Sequence, residues 1–377
     1  MKFRTNMLID ESQNNIGLGE DYPKSIKGES LSSYLPITRY YGSKRRVIDW
    51  VKESVSCLEF DSVLDVFGGT ATVSLMFKAM GKKVFYNDIL MSSSLQAKAL
   101  LSNHNIYGFD KTILDFCESV VPERGFITKN FADVYFTDDE NSWLDGAMTR
   151  LESIKEEQRY AEVFYCLQQS CVQKRPFNLF HRKNHYLRVN NNRKTKFGNW
   201  VTWERSFNEL MLRAAKELEK TRYRSLYAPT VLPCTNAIDV NSGYDLVYLD
   251  PPYIPLKRKD ISYLERYHFL EGLASPEIWS SRIDWSKDNR GFKPVPEFMQ
   301  WNTRSLFKEN LLDLVYKHRE SIVVLSYVFD AYPSLTDLQE FFYRTFKEVR
   351  VHTKELSHAL AKNKKIELLI IGIPKHG

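Results

Sequence analysis

The sequence predicts a doubly wound α/β fold with an inserted, mainly helical and loop-like region. Three stretches carry that prediction. Ser62-Val-Leu-Asp-Val-Phe-Gly-Gly-Thr-Ala-Thr-Val-Ser74 reads as a short buried strand, a tight glycine-rich turn and a helix running to Gly81. Lys83-Val-Phe-Tyr-Asn-Asp88 reads as a second strand ending in an acid about 20 residues after the glycines, the spacing of a βαβ ligand unit. Asp245-Leu-Val-Tyr-Leu249 reads as a third strand, delivering Asp250-Pro251-Pro252-Tyr253. Open α/β sheets bind ligands outside the carboxyl ends of their strands, so the glycine turn and Asp250 are expected to face one cleft.

At 377 residues the chain has room for one or two domains with a substantial core. Its 43% hydrophobic and 27% charged residues put it with globular proteins rather than fibrous or disordered ones. No apolar run approaches the roughly 20 residues that span a bilayer. The first residues, Met1 to Asp10, lack the apolar core of a secretory signal. Cys57, Cys117, Cys166, Cys171 and Cys234 are odd in number and form no CxxC pair. Reduced thiols, no metal site and a cytoplasmic location are the expectation. A net charge of +6 is modest for this length, so its distribution matters more than its total.

Along the chain, residues 1–35 are polar and aperiodic and read as a loose arm. Ile37 to Lys44 then leads into a helical stretch through Val55, and its Gly-Ser-Lys turn offers N–H groups and a cation to an anionic group. The glycine turn holds only Gly68 and Gly69 rather than a GxGxxG series, which favours a nucleoside ligand over a dinucleotide. Residues 90–224 are mostly helical in pattern. A helix over Ser206 to Lys220 leads back to the sheet, with Thr230 to Asp239 before the third strand. Further strands are expected at Ser321 to Tyr327, Lys347 to Leu356 and Lys365 to Ile371, separated by helices over Arg304 to Arg319 and Ser334 to Phe346.

Two stretches carry the chemistry. Neither Pro251 nor Pro252 can donate a ladder hydrogen bond, so strand pairing stops there and the turn is stiff. The Asp250 carboxylate, the Pro251 carbonyl and the Tyr253 ring are thereby crowded around one point. Two acceptors beside an aromatic face suit a flat substrate with an exocyclic amino group. The second stretch, Lys174 to Arg205, sets Lys174, Arg175, Arg182, Lys183, Arg188, Arg193, Lys194, Lys196 and Arg205 against one acid, Glu204. Phe177, Phe180, Tyr186, Phe197, Trp200 and Trp203 are interleaved with asparagines that include Asn184 and Asn191. Cations for phosphates, amides for base edges and aromatics for stacking are the parts of a nucleic-acid surface.

The motifs in this order resemble the Dam-like (D12) class of DNA adenine-N6 methyltransferases. Tyr40-Tyr-Gly-Ser-Lys44 is similar to the amino-terminal motif of that class, Asp65 to Thr72 to its S-adenosylmethionine motif, and Asp250 to Tyr253 to its catalytic motif. Tyr267-His-Phe-Leu-Glu-Gly272 has counterparts there, and Lys362 to Leu369 looks like its closing strand. Ala71 departs from the pattern, since many members carry a further glycine at that point. The resemblance implies a Rossmann-like methyltransferase sheet made of residues 36–110 and 225–377, with a target-recognition region at 111–224. Catalytic roles fall on Asp250, Pro251, Pro252 and Tyr253. Asp65, Phe67, Gly68 and Gly69 would surround the methionine and ribose of S-adenosylmethionine, with Asp88 on the ribose hydroxyls and Asn236 near the adenine. Lys44 would lie near the methionine end or the target base, and Tyr41, Thr70 and Asp250 complete the candidate cofactor contacts.

The activity implied by the resemblance is site-specific methylation of a flipped-out adenine in duplex DNA, protecting host DNA in a restriction-modification system. Lys174, Arg175, Arg182, Lys183, Asn184, Arg188, Asn191, Lys194 and Lys196 are the candidate DNA contacts. Double-stranded DNA is the expected partner, with a restriction endonuclease acting separately, no membrane, and a monomer or weak dimer. Two rivals share the fold. Cytosine-N4 methylation uses the same chemistry, but its enzymes usually carry Ser in place of Asp250. A non-catalytic DNA-binding subunit would have no need of an intact Asp-Pro-Pro-Tyr.

Overall fold

The structure is a computed structural model that describes residues 30–33, 35–37, 42–103, 108–189, 200–221, 225–256, 262–356 and 365–375. Tyr41, Asn191, Lys194 and Lys196 lie outside the described residues, as does most of the 1–35 arm.

The strands in chain order are β1 (Ser62–Asp65), β2 (Lys83–Tyr86), β3 (Thr230–Val231), β4 (Leu246–Leu249), β5 (Ile254–Pro255), β6 (Ile322–Val328), β7 (Ala331–Tyr332), β8 (Glu348–Leu356) and β9 (Lys365–Ile373). Seven of them form one sheet in the order β3-β2-β1-β4-β6-β9-β8, and β5 pairs with β7 in a small separate ladder. From β3 to β6 neighbouring strands run parallel, whereas β9 is antiparallel to both β6 and β8. The expected strands and helices are present within a few residues of their predicted limits. The antiparallel hairpin at the far edge is an addition that apolar runs alone do not reveal.

Both faces of the sheet are covered, and the strands alternate between the two cores as a period of two requires. Val63, Leu246, Tyr248, Val324, Leu369 and Ile371 belong to one core, while Leu64, Val247, Leu249, Val323, Leu325 and Ile370 belong to the other. The first core also takes in Phe116, Leu144, Phe164, Phe207 and Met211, so the helices of the 109–219 segment pack into the same interior as the sheet. Helix Glu157–Gln173 lies against both Met91–Leu101 and Phe207–Glu219. The Gln96 side-chain oxygen receives 3.0 Å hydrogen bonds from the amides of Gln168 and Gln169 across that contact.

Order and register together place the cleft. Strand β1 connects outward to β2, and β4 connects the other way to β6, so the chain reverses its winding between β1 and β4. At such a switch point the loops part and leave a crevice. Asp65 is level with Tyr86 on β2 and with Tyr248 on β4. Phe67, Asp88 and Asp250 each follow two residues later, just beyond the strand ends.

Candidate active site

Those three strand ends open into one cleft. Its walls include Gly42 to Lys44, Asp65 to Thr70, Asn87 to Leu90, Thr235 to Ala237, Tyr248, Asp250, Pro252 and Tyr263, and Phe298, Trp301 and Asn302 form a further side.

The glycine turn is shaped by Tyr86 beneath it. A Cβ on Gly68 would fall 2.1 Å from the Tyr86 ring, and the Tyr86 hydroxyl donates to the Gly69 carbonyl at 2.9 Å. Gly69 has φ +48°, a left-handed conformation open to glycine. Ala71 is left-handed as well, with φ +58°, just before helix Thr72–Ala79. That conformation costs an alanine roughly 1–2 kcal/mol, but its methyl is fully buried in the core, which offsets part of the cost. Ala71 thus keeps the turn that a glycine would make.

Three carboxylates face the cleft in different surroundings. Asp65 accepts a 2.7 Å hydrogen bond from Ser74, the first-turn serine of the following helix. Burial pushes its pKa up to about 7, with Ser74 pulling it down and Asp250 and Asp88 adding to the rise. Asp88 accepts from the backbone N–H of Gly69 at 2.9 Å and of Leu90 at 2.8 Å, tying the second strand end to the glycine turn. Burial raises it to about 6 against those two hydrogen bonds. Asp250 pairs with the buried Lys44 at 2.7 Å. Burial raises Asp250, and Lys44 opposes the rise. Burial works against the charge on Lys44, but Asp250 and Glu367 outweigh it and hold the ammonium well above its ordinary pKa.

Around that pair the network continues. Glu367 on β9 stands 3.9 Å from Lys44 through one oxygen and 2.5 Å from Lys365 through the other. Lys365 donates to the Tyr253 hydroxyl at 2.9 Å, and the Tyr253 ring packs edge-on to Tyr327. Of the Asp250–Tyr253 turn, Asp250 and Pro252 line the cleft, while Pro251 is buried and Tyr253 partly buried.

Asn236 lines the cleft, yet both ends of its amide are engaged: it donates to Gln300 at 2.7 Å and accepts from the Trp301 indole at 2.9 Å. Trp301 in turn meets Phe67 edge-on, with ring centroids 4.8 Å apart. Sequence reasoning passed over Trp301, Phe298, Tyr263 and Asn87, because nothing in their spacing ties them to the glycine turn. The Asn87 amide donates to the carbonyls of Val66 and Thr235 at 3.0 Å each, and its oxygen is buried without a hydrogen-bond partner. Among the described residues, no group of three or more His, Cys, Asp and Glu side chains is arranged to hold a metal ion.

The basic segment divides. Lys174 and Arg188 both bind the Glu140 carboxylate at 2.7 Å, and both also donate to the Trp203 carbonyl. Arg175 is fully buried, donating to the carbonyls of Leu179, Tyr135 and Arg182 over the face of Tyr135. Three of the candidate DNA contacts are therefore turned inward, where carbonyls and a carboxylate take the place of phosphates. Arg182 and Lys183 are exposed, and Asn184 is partly exposed in a left-handed conformation.

Comparison with known proteins agrees with this geometry. The chain is 26% identical over 252 residues to the type II methyltransferase M2.HphI of Haemophilus parahaemolyticus, covering 64% of this chain and 72% of that protein. It is 24% identical over 369 residues to the modification methylase StsI of Streptococcus sanguinis, covering 89% of this chain and 52% of that one. With the type II methyltransferase M.FokI of Planomicrobium okeanokoites it shares 26% over 266 residues, 64% of this chain and 38% of that protein. The chain thus spans about half or less of the length of the latter two. The family model for D12 class N6 adenine-specific DNA methyltransferases matches residues 40–282, well over half of the chain, from the Gly-Ser-Lys turn past the Asp-Pro-Pro-Tyr turn, and the chain belongs to that family.

Proposed function

We propose that this cleft binds S-adenosylmethionine and presents its methyl group to the N6 amine of an adenine flipped out of duplex DNA, as the modification activity of a restriction-modification system. The observation that carries the reading is the Lys44–Asp250 pair at the end of β4, opening into the same cleft as the glycine turn. The residues present fit the cofactor. The turn at Gly68 is closed to any side chain by Tyr86, so backbone can approach a ligand, and the buried Asn87 oxygen lacks a hydrogen-bond partner. The cleft is lined by both backbone and side chains of the glycine turn, Asp88 and Asn236, a mixed polar and apolar lining that suits a nucleoside. When bound, S-adenosylmethionine supplies a sulfonium methyl, whose bonding pair stays with sulfur as the new carbon–nitrogen bond forms.

The work left to the protein is orientation and charge placement. The amine of adenine is a weak nucleophile because its lone pair is delocalised into the ring. Lys44 occupies one Asp250 oxygen. The other oxygen is left to accept an N–H of the amine, with the Pro251 carbonyl as the second acceptor. Holding both N–H bonds draws the nitrogen toward tetrahedral geometry and aims its lone pair at the methyl. After transfer the nitrogen carries a positive charge, and it sheds one of those protons toward the acceptors or solvent. Flipping the base costs a few kcal/mol, and stacking against an aromatic ring such as Tyr253 returns roughly 1–3 kcal/mol. Arg182 and Lys183 are the described cations of the basic segment best exposed to phosphate.

Asp250→Ala tests the assignment. Single-turnover transfer from labelled cofactor to DNA should be abolished, while titration with S-adenosylhomocysteine, which is neutral at sulfur, should give nearly wild-type affinity. Because the buried Lys44 keeps only Glu367, at 3.9 Å, as a counter-charge, stability should fall by up to about 3–5 kcal/mol, so the assay belongs well below the variant's melting temperature. Turnover near the wild-type rate would remove Asp250 from the chemistry.

A further inference from the structure

Glu367 and Lys365 lie on β9, beyond residues 40–282 that match the family. Glu367 is buried, one of a group of four charges. One of its oxygens is 2.5 Å from Lys365, and the other has no hydrogen bond and stands 3.9 Å from Lys44. Each lysine then reaches one end of the catalytic tetrapeptide: Lys44 the Asp250 carboxylate at 2.7 Å, Lys365 the Tyr253 hydroxyl at 2.9 Å. Two cations and two carboxylates sum to zero.

The neutrality matters because of the ligand. S-adenosylmethionine is a cation at sulfur, and its demethylated product, S-adenosylhomocysteine, is neutral there. Lys44 is matched by Asp250, but Lys365 at the Tyr253 hydroxyl would, without Glu367, leave the group with one net positive charge that repels a sulfonium. A carboxylate two residues along β9 from Lys365 removes that repulsion without touching the reacting atoms. We infer that Glu367 and Lys365 are positioning residues for methyl transfer, closing a neutral four-charge cluster that orients Asp250 and Tyr253 while letting the cationic cofactor sit beside a buried lysine. The inference rests on S-adenosylmethionine being the cofactor.

The test is a ratio of affinities, which a merely structural role would not move. Calorimetric dissociation constants for S-adenosylmethionine and S-adenosylhomocysteine are measured on the full chain and on Glu367→Gln, Lys365→Met and the double variant. Glu367→Gln leaves one net positive charge, and affinity for the cationic ligand should fall about five- to tenfold relative to the neutral one. Lys365→Met should shift the ratio the other way, by less because that side chain is partly exposed. The double variant is again neutral, and its ratio should return to within about twofold of wild type. An unchanged ratio in folded Glu367→Gln, or a double variant that does not recover, overturns the inference while leaving the cofactor intact. Should Glu367→Gln fail to fold, the ratios of Lys365→Met and the double variant decide alone, and no shift in the former overturns it. Wild-type protein that binds neither ligand overturns the cofactor reading itself.

Discussion

At Gly68 the requirement is for space rather than for unusual dihedral angles. The Tyr86 ring fills the volume a Cβ would need, and the same tyrosine holds the Gly69 carbonyl by its hydroxyl. Gly68→Ala should push that ring aside, lowering stability by about 1–3 kcal/mol and weakening cofactor binding with it. Denaturant unfolding and ligand titration read the two effects, and loss of neither would mean the turn relaxes freely. Asp65 makes a different trade. Its folded-state pKa of about 7 lies above the ordinary 3.8. Stability from the protonated form is therefore fully present below about pH 4 and lost as pH rises toward 7. Asp65→Asn, which can still accept from Ser74, should be more stable than wild type without ligand. The gap in melting temperature should be widest above pH 7 and close as pH falls toward 4. A gap independent of pH would show that burial of the ionised carboxylate is not its cause.

At the scale of elements, helix Tyr263–Ala274 joins the cleft to the 109–219 segment. Tyr263 at its start lines the cleft, and Glu271 near its end accepts the N–H groups of Met91 and Ser92 at 3.0 Å, capping helix Met91–Leu101. Between them the Arg266 carbonyl accepts from Phe180 at 2.8 Å, and His268 sits 2.8 Å from the Tyr135 hydroxyl. On the far side, Glu140 closes a capping box with Thr137 and takes Arg188 in a bidentate pair at 2.7 and 2.9 Å, with Lys174 beside it. Burial would raise the Glu140 pKa, but Arg188 and Lys174 outweigh it and bring it down to about 2. Its contribution is therefore present above about pH 4.5 and lost only as pH falls toward 2. Glu140→Ala would strand two buried cations, and a loss of about 3–5 kcal/mol is expected in denaturant unfolding at neutral pH. A loss under 1 kcal/mol would mean that the lysine and arginine find water instead.

Over the whole molecule, the division of the basic segment decides how the protein should respond to salt. Counterion release depends on the cations that reach phosphate, not on those counted along the chain. Arg182→Ala and Lys183→Ala should each lower affinity for any duplex and reduce the log–log salt slope by about one unit. Arg175→Ala should leave the slope unchanged and act on stability, because its guanidinium is spent on three carbonyls inside the protein. Binding to scrambled and cognate duplexes at several salt concentrations separates the two behaviours. A reduced slope for Arg175→Ala would mean that DNA draws this side chain out.

Local chemistry made much of this protein legible before any contact was known. Glycines before a helix, an acid after the next strand and two prolines stopping a third are consequences of backbone sterics, so they appear as short motifs in the chain. The same holds for the continuous apolar runs of β4, β6 and β9. What the tertiary structure decided is which charges face each other. Lys174 and Arg188 read as DNA contacts until Glu140 is folded beside them, and Glu367 gains its place only when β9 inserts antiparallel beside β6. Trp301 likewise becomes part of the cleft only by packing on Phe67, from a loop far along the chain. Electrostatic and packing partners are set by distance in space, and a one-dimensional pattern records distance only along the chain.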